Sequence, residues 1–392
     1  MNYKTYVMSD LIADISMGPF GSNIKAECYQ DQGVPYLNGS NVTGFSLNEK
    51  SFRYVSEEKA DSLGRSVARR KDIIVTHRGT LGQIAYIPEN SKFERYVTGN
   101  SQFRFTCNDK VLPEYVVLFF HTPKGQHILL SNASQVGVPA LARPTSTFQK
   151  LAIDIPDIEY QKKVCSIFQV IQDKIELNNA INENLQQQAQ SIFTNMFETE
   201  DNELWESGTL SDIADIIMGQ SPSGSSYNED GQGAVFFQGR AEFSFRYPTI
   251  RLFTTEPKRM ALRNDTLMSV RAPVGDLNIA HEDCCIGRGL AAIRSKNKHQ
   301  SFVHYTMFSL QKKLDVFNGE GTVFGSINRN SLNAMPIKLP PKELMDEFES
   351  IVAPIDALIL ANHNATCHLQ VIRDTLLPKL MNGELDISNM DI

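Results

Sequence analysis

Two stretches of the chain repeat apolar residues at steps of three and four. In the first, Val164, Phe168, Ile171, Ile175, Ile181, Leu185, Ala189, Ile192 and Met196 keep that rhythm, with Asn178 standing where an apolar residue is due. The second runs through Leu344, Phe348, Ile351, Ile355, Ile359, Asn362, Ala365, Leu369, Ile372 and Leu376. Such spacing gathers one side of a helix into a continuous seam and predicts two long helices of the coiled-coil kind. A single shift in numbering carries Phe168 onto Val352, Ile171 onto Ile355, Ile175 onto Ile359 and Asn178 onto Asn362, so the two helices are copies. Pro156 and Pro340-Pro341 stand at their entries, where a missing N–H costs nothing, and Asn382-Gly383 supplies a left-handed exit. Pro354 removes a hydrogen bond inside the second helix and predicts a bend near 350–354.

A lone amide in an apolar seam fixes register and orientation at some cost in stability. Asn178 meeting or lying near Asn362 would lock the helices against sliding. The same pattern arises if both amides turn to solvent on a slightly rotated face, and the two readings stay open at this level.

Outside the helices the period changes. DIIVTHRG and QFRFTC cluster β-branched and aromatic residues between Gly, Pro and Asn and predict strands, while PEYVVLFFHTPKGQHILL and QSFVHYTMFSLQKKLDVF predict short helices. These blocks are duplicated as well. MSDLIADISMG (8–18) matches LSDIADIIMG (210–219), and RKDIIVTHRGTLGQIAYIPE (70–89) matches RNDTLMSVRAPVGDLNIAHE (263–282), with Arg78 facing Arg271 and Gly82 facing Gly275. AIDIPDIEYQKKV (152–164) likewise matches PIKLPPKELMDEF (336–348). The predicted order is therefore globule 1–156, helix 157–200, globule 201–340, helix and tail 341–392.

A content of 41% hydrophobic residues in 392 suits a globular protein of several domains. The opening MNYKTYVMSD has neither the basic start nor the apolar core of a leader, and the longest apolar runs are too short to span a bilayer, which predicts a cytoplasmic protein. The six cysteines are scattered without CxxC spacing, and His281-Glu-Asp-Cys284-Cys285 lacks the partners that would close a metal site. GPFGSNIK (18–25) has the wrong spacing for a phosphate loop, and no glycine-rich dinucleotide turn, HExxH, or Asn-Pro-Pro-aromatic segment occurs. No catalytic residue, metal or cofactor is expected in this chain.

The formal charge of −7 looks unsuited to a nucleic-acid partner until it is apportioned. Residues 157–200 carry three basic and seven acidic side chains, and residues 341–392 carry three and nine, balances of −4 and −6 that leave +3 on the globules. Arg65, Arg69, Arg70, Lys71 and Arg78 crowd the first globule, with Arg104 beyond them. Arg240, Arg246, Arg251, Lys258, Arg259, Arg263 and Arg271 lie in the second, interleaved with Phe236, Phe237, Phe243, Phe245, Tyr247 and Phe253. Arginine forks beside stacking rings are the chemistry of phosphate and base-edge contact, although a solvated face over core aromatics gives the same pattern. The DNA-binding candidates are thus Arg69, Arg70, Lys71, Arg78, Arg104, Arg240, Arg246, Arg251, Arg259, Arg263 and Arg271; the helix-seam candidates are Ile171, Ile175, Asn178, Leu185, Ile355, Ile359, Asn362 and Leu369.

In this order, IPDIEYQKKV with DKIELNNAINENLQQQAQSIFTNMF, ELWESGTLSDIADI, KDIIVTHRGTLGQIA with its partner DTLMSVRAPVGDLNIA, and RDTLLPKLMNGELDI together resemble the specificity (S) subunit of type I restriction-modification systems. The resemblance runs over nearly the full chain. It implies an α+β protein in which two mixed α/β target-recognition domains are separated by two long antiparallel helices with an internal pseudo-two-fold repeat. It further implies that each domain reads one half of a split, asymmetric double-stranded DNA site and that the helices act as a ruler. The helices would dock two modification subunits, which bind S-adenosylmethionine and methylate adenine at N6. Restriction subunits would add ATP- and magnesium-dependent translocation and cleavage, and this chain itself would do no chemistry. An orphan or decoy S subunit, acting only as a protein-interaction scaffold, is the alternative. The resemblance supplies no base-reading residues, so the arginines rest on their chemistry alone.

Overall fold

A computed structural model describes residues 3–134, 138–198, 204–319 and 325–390. The chain divides into two compact units, one made of residues 1–176 and 367–392 and the other of residues 177–366. Each unit therefore owns one globule together with part of both long helices. The expected junction at 200/201 lies outside the described residues.

In the first unit, strands Ile12–Met17, Gln102–Cys107, Ile73–Thr76 and Ile84–Tyr86 form an antiparallel sheet in that spatial order. A second sheet orders Arg53–Val55, Val34–Tyr36, Arg95–Val97 and Val67–Arg69, with its central pair parallel. Lys4–Val7 pairs with Ala152–Ile155 at the entry to the first long helix. Helix Pro113–His121 buries Tyr115, Val116, Val117, Leu118, Phe119 and Phe120 on the first sheet, and Phe103, Phe105 and Phe148 complete that core. A run of six buried residues exceeds one helical stripe, because this helix is covered by sheet on one side and by long helix on the other.

The second unit repeats this topology. Ala214–Met218, Leu290–Ser295, Thr266–Ser269 and Leu277–Ile279 form the antiparallel sheet, and Glu206–Thr209 pairs with Pro336–Leu339. The other sheet gains one edge, Tyr227–Asn228, beside Leu252–Thr254, Ala234–Phe237, Cys284–Ile286 and Met260–Ala261. Physical details recur with the topology. Gly18 and Gly219 leave their strands so close to a neighbouring backbone that an added Cβ would lie 2.0 Å from the Gly99 carbonyl or 2.2 Å from that of Gly287. Lys71 and Asn264 both adopt positive φ, 73° and 74°, in equivalent turns. The following acids, Asp72 and Asp265, are buried and accept the backbone N–H of Arg69 and Leu262 at 2.9 and 2.8 Å.

The first long helix runs Ile158–Phe197 and the second Lys342–Met381. The second helix is continuous through Pro354, and so the lost hydrogen bond does not end it. Within the first unit the helices are antiparallel: Tyr160 donates to the Leu380 and Leu385 carbonyls, and Arg373 donates to Gln172 at 3.3 Å. Within the second unit they are antiparallel again, Asn178 reaching Thr366 at 3.3 Å and Asn182 reaching the Ile359 carbonyl at 3.1 Å.

The seam departs from the predicted residues in one respect. Ile175, Asn178, Ile359 and Asn362 lie in it, and Ile171, Leu185, Ile355 and Leu369 are half-buried along its flanks. Ile181, Ile351 and Ala365 are exposed, and their places are taken by Asn182, Val352 and Thr366; Ile372 is exposed as well. Each helix must cover both a partner helix and a globule, and a straight helix drifts from a strict heptad, so the buried face turns along its length. Asn178 does not meet Asn362. It donates to Thr366, while Asn362 donates to Asn182 at 3.0 Å. Asn178, at 2% exposure, is a buried amide, which removes the solvent-facing reading.

Candidate nucleic-acid interface

The candidate arginines fall into two groups once their partners are visible. Arg104 is buried: its guanidinium donates to Asp14 at 2.7 Å and to the Arg65 carbonyl at 2.9 Å, and lies 3.6 Å from Asp72. Burial pushes the Asp72 carboxyl up, against hydrogen bonds from Thr106 and the Arg69 backbone that pull it down. In the second unit the corresponding acid, Asp265, instead takes a two-pronged contact from Arg294 at 2.7 and 2.8 Å. Arg246 is also buried, donating to Asp356 at 2.5 Å, Tyr305 at 3.1 Å and Gln186 at 3.2 Å. Burial opposes its charge most strongly, but the Asp356 carboxylate together with Tyr305 and Tyr247 outweighs it and holds its pKa above the usual guanidinium value. Arg104 and Arg246 are therefore internal struts, and their density in sequence misled because each meets its carboxylate far along the chain.

Arg246 has an instructive counterpart. Its carbonyl accepts from Ile279 at 2.8 Å, just as the Phe45 carbonyl accepts from Tyr86 at 3.0 Å. The two loops thus seat their globules on the helices by different chemistry. Phe45 packs against His121 and, edge to face, against Phe168, with ring centroids 4.2 and 4.4 Å away and the Arg373 guanidinium 5.3 Å over its ring; the second unit uses a buried ion pair.

The remaining candidates are on the surface. Arg70 donates to the Ser91 carbonyl at 2.8 Å, Lys71 pairs with Glu89 at 3.0 Å, and Arg240 pairs with Asp276 at 2.5 Å. Arg251 bridges Glu242 and Glu229, and the Glu242 contact raises its pKa. Arg69, Arg78, Arg259, Arg263 and Arg271 are exposed, with no carboxylate partner among the described residues. Four further exposed arginines without a carboxylate partner among the described residues, Arg53 (over the Tyr29 ring), Arg143, Arg288 and Arg329, escaped the sequence reading because they stand alone rather than in clusters. Three of the six interleaved aromatics, Phe236, Phe237 and Tyr247, are buried, Phe243 and Phe253 are half-buried against the core around Val235, and Phe245, 48% exposed, is free to stack.

One cavity of the second unit, lined by Tyr247, Ile279, His304 and Glu349, sits under the globule against the long helix. Cys284 and Cys285 are buried in a strand, where burial pushes the Cys284 thiol up to about 12. Among the described residues no group of three or more His, Cys, Asp or Glu side chains converges as a metal site would. No helix among them is long and apolar enough to cross a membrane.

Comparison with known proteins adds identity to this geometry. The profile of the type I restriction modification DNA specificity domain matches twice, at residues 13–187 and 202–366. The chain is 26% identical over 376 residues to the MjaX type I restriction enzyme specificity subunit of Methanocaldococcus jannaschii, covering 91% of this chain and 88% of that protein. It is 23% identical over 484 residues to the HindI specificity subunit of Haemophilus influenzae, covering 98% and 100%. The crystal structure of the S subunit of a type I restriction-modification system from M. genitalium shares the fold over 97% of this chain and 96% of that one, with a TM-score of 0.59 at 16% identity.

Proposed function

Because the chain belongs to the type I restriction modification DNA specificity family, we propose that it reads a split duplex sequence with one globular unit per half-site and brings modification subunits to that sequence. It is a DNA sequence-specificity subunit, and its role is recognition rather than chemistry. The observation that carries the proposal is the repetition of sheet order, strand pairing and buried acid in both units while their surface side chains differ. Equal frames with unequal surfaces suit a site whose two halves are unlike, since duplex DNA offers each unit the same backbone and a different set of base edges. The gap between the halves would be governed by the long helices, each of 40 residues and about 60 Å in length.

S-adenosylmethionine, and ATP with magnesium where restriction subunits join, would be bound by partner subunits. The adenine-N6 methyltransferase and ATP-dependent endonuclease activities would belong to that assembly, with two modification subunits and up to two restriction subunits. A scaffold without DNA preference is the less favoured reading, because exposed arginines without carboxylate partners persist in both units.

The test is co-expression with the neighbouring modification subunit in a host lacking adenine methylation, followed by single-molecule mapping of methylated adenines. One motif with two short unlike halves around a fixed gap is expected. A stable complex that methylates nothing would overturn the recognition role, and methylation by this chain alone would overturn its non-catalytic assignment.

A further inference from the structure

Arg78 and Arg271 occupy the same place in the two copies, and the backbone around each is held in the same way. In the first unit Gly79 donates to the Pro139 carbonyl at 3.0 Å and Leu141 donates to the His77 carbonyl at 2.9 Å, leaving Arg78 in an isolated antiparallel bridge with Ala140. In the second, Ala272 donates to Gly325 at 2.9 Å and Ile327 to Val270 at 3.1 Å, leaving Arg271 bridged to Ser326. Leu141 and Ile327 anchor the facing strands in the cores at 5% and 3% exposure. The chain then turns back through Gly82 and Gly275, whose φ angles of 83° and 98° explain why both copies keep glycine there. Both arginine side chains are exposed and meet no carboxylate among the described residues. They differ in this from Arg95, Arg240, Arg251 and Arg294, which are engaged with Glu and Asp.

A cation held in a hydrogen-bonded bridge, with no carboxylate partner among the described residues and repeated in both copies of a duplicated protein, should address whatever the two half-sites have in common. Their base sequences differ, and what they share is the sugar-phosphate backbone. An arginine that reads a base has no reason to recur in the other copy. Arg288 behaves in that second way, because the equivalent position after Gly99 is Asn100. We propose that Arg78 and Arg271 are phosphate contacts, one per half-site, that position each unit on the duplex without reading its sequence. The next exposed arginine beyond each bridge, Arg143 or Arg329, is available to extend the contact to a neighbouring phosphate. This inference rests on the recognition role proposed above.

The experiment uses the full chain in complex with its modification subunit, carrying R78Q, R271Q or both, with R78K and R271K as charge-retaining controls. Affinity for a duplex bearing the mapped motif and for an unrelated duplex is measured across a salt series. Each Gln variant should weaken binding to both duplexes by a similar factor, and should lower the slope of log affinity against log salt by about 0.9. The methylated motif should not change. Lys variants should restore most of the affinity, since a phosphate accepts a point charge where a bidentate base edge does not. A Gln variant that alters one half of the motif, or affinity and salt slope that stay unchanged in a complex that keeps its preference, overturns the assignment. An unsubstituted complex that shows no preference between the duplexes overturns the recognition role instead.

Discussion

The carboxamide of Asn362 donates to the side-chain oxygen of Asn182 at 3.0 Å, and the copy of that contact in the repeat, Asn178 to Thr366, spans 3.3 Å. Each helix therefore contributes both members of the exchange. Amides in an apolar seam cost stability unless they are satisfied, and a one-turn slip would leave one of Asn178 and Asn182 without its polar partner. N182L alone is expected to destabilise the second unit by about 1–3 kcal/mol, because the Asn362 amide loses its acceptor. N182L with N362L should recover much of that loss while relaxing register. Denaturation midpoints follow the first effect, and the gap in the methylated motif follows the second; a double variant with a single unchanged gap sinks the register argument.

Arg246 supplies a second prediction. R246A leaves Asp356 without its cation, and removing one partner of a buried pair costs about 3–5 kcal/mol. R246M with D356L should come close to the original stability, since replacing both charges by apolar groups is often neutral or better. Urea denaturation of the three forms decides the matter. Equal loss in the single and double variants would mean that geometry, not charge, is what the pair provides.

Glycine gives a third. G18A and G219A each place a methyl group against a carbonyl that cannot retreat without moving a strand. Losses of about 1–3 kcal/mol are expected for such overpacking. The two units should show them separately, G18A lowering one transition of a thermal melt and G219A the other. A common shift of a single transition would show instead that the units unfold together.

Histidine sets the pH response. Burial lowers the pKa of His77, His121, His281, His304 and His363 from the ordinary value of 6.5, with His304 lowered furthest. A base held neutral in the fold and free to protonate when unfolded makes the unfolded chain bind more protons below pH 6.5. Their contribution is thus fully present above that pH and is lost as pH falls toward the folded values. The melting temperature should drop between pH 7.5 and 5.5, and H304Q should flatten the drop. A melting temperature indifferent to pH over that range would contradict the burial of these rings.

The elements were far more legible in the sequence than the site. Long helices announce themselves because dozens of residues obey one period, and the repeat doubles every clue, as with Gly82 and Gly275. The side of a helix is harder: Ile181 lies one residue from Asn182, and only the competing cover of globule and partner helix decides which is buried. Arginine partnership is harder still. Arg104 meets an aspartate 90 residues away and Arg246 one 110 residues away, separations at which local density carries no information. The isolated Arg143, Arg288 and Arg329 were invisible for the converse reason.

The second unit is one unbroken stretch, whereas the core of the first includes Leu377, Leu380, Met381 and Ile387, and its helix holds the tail through Tyr160 to Leu385 and Lys163 to Ser388 and Met390. Synthesis consequently reverses the apparent order of assembly. At about 5–20 residues per second, the ribosome delivers everything between the two segments of the first unit over roughly 10–40 s. Throughout that interval the earlier-made unit lacks one wall of its interior, and when it ends the later-made one has all of its residues and can close first. A nascent chain stalled before the tail should therefore be cut by protease in its older half first, and a molecule able to engage DNA at the first half-site is by construction one whose translation has run past residue 387.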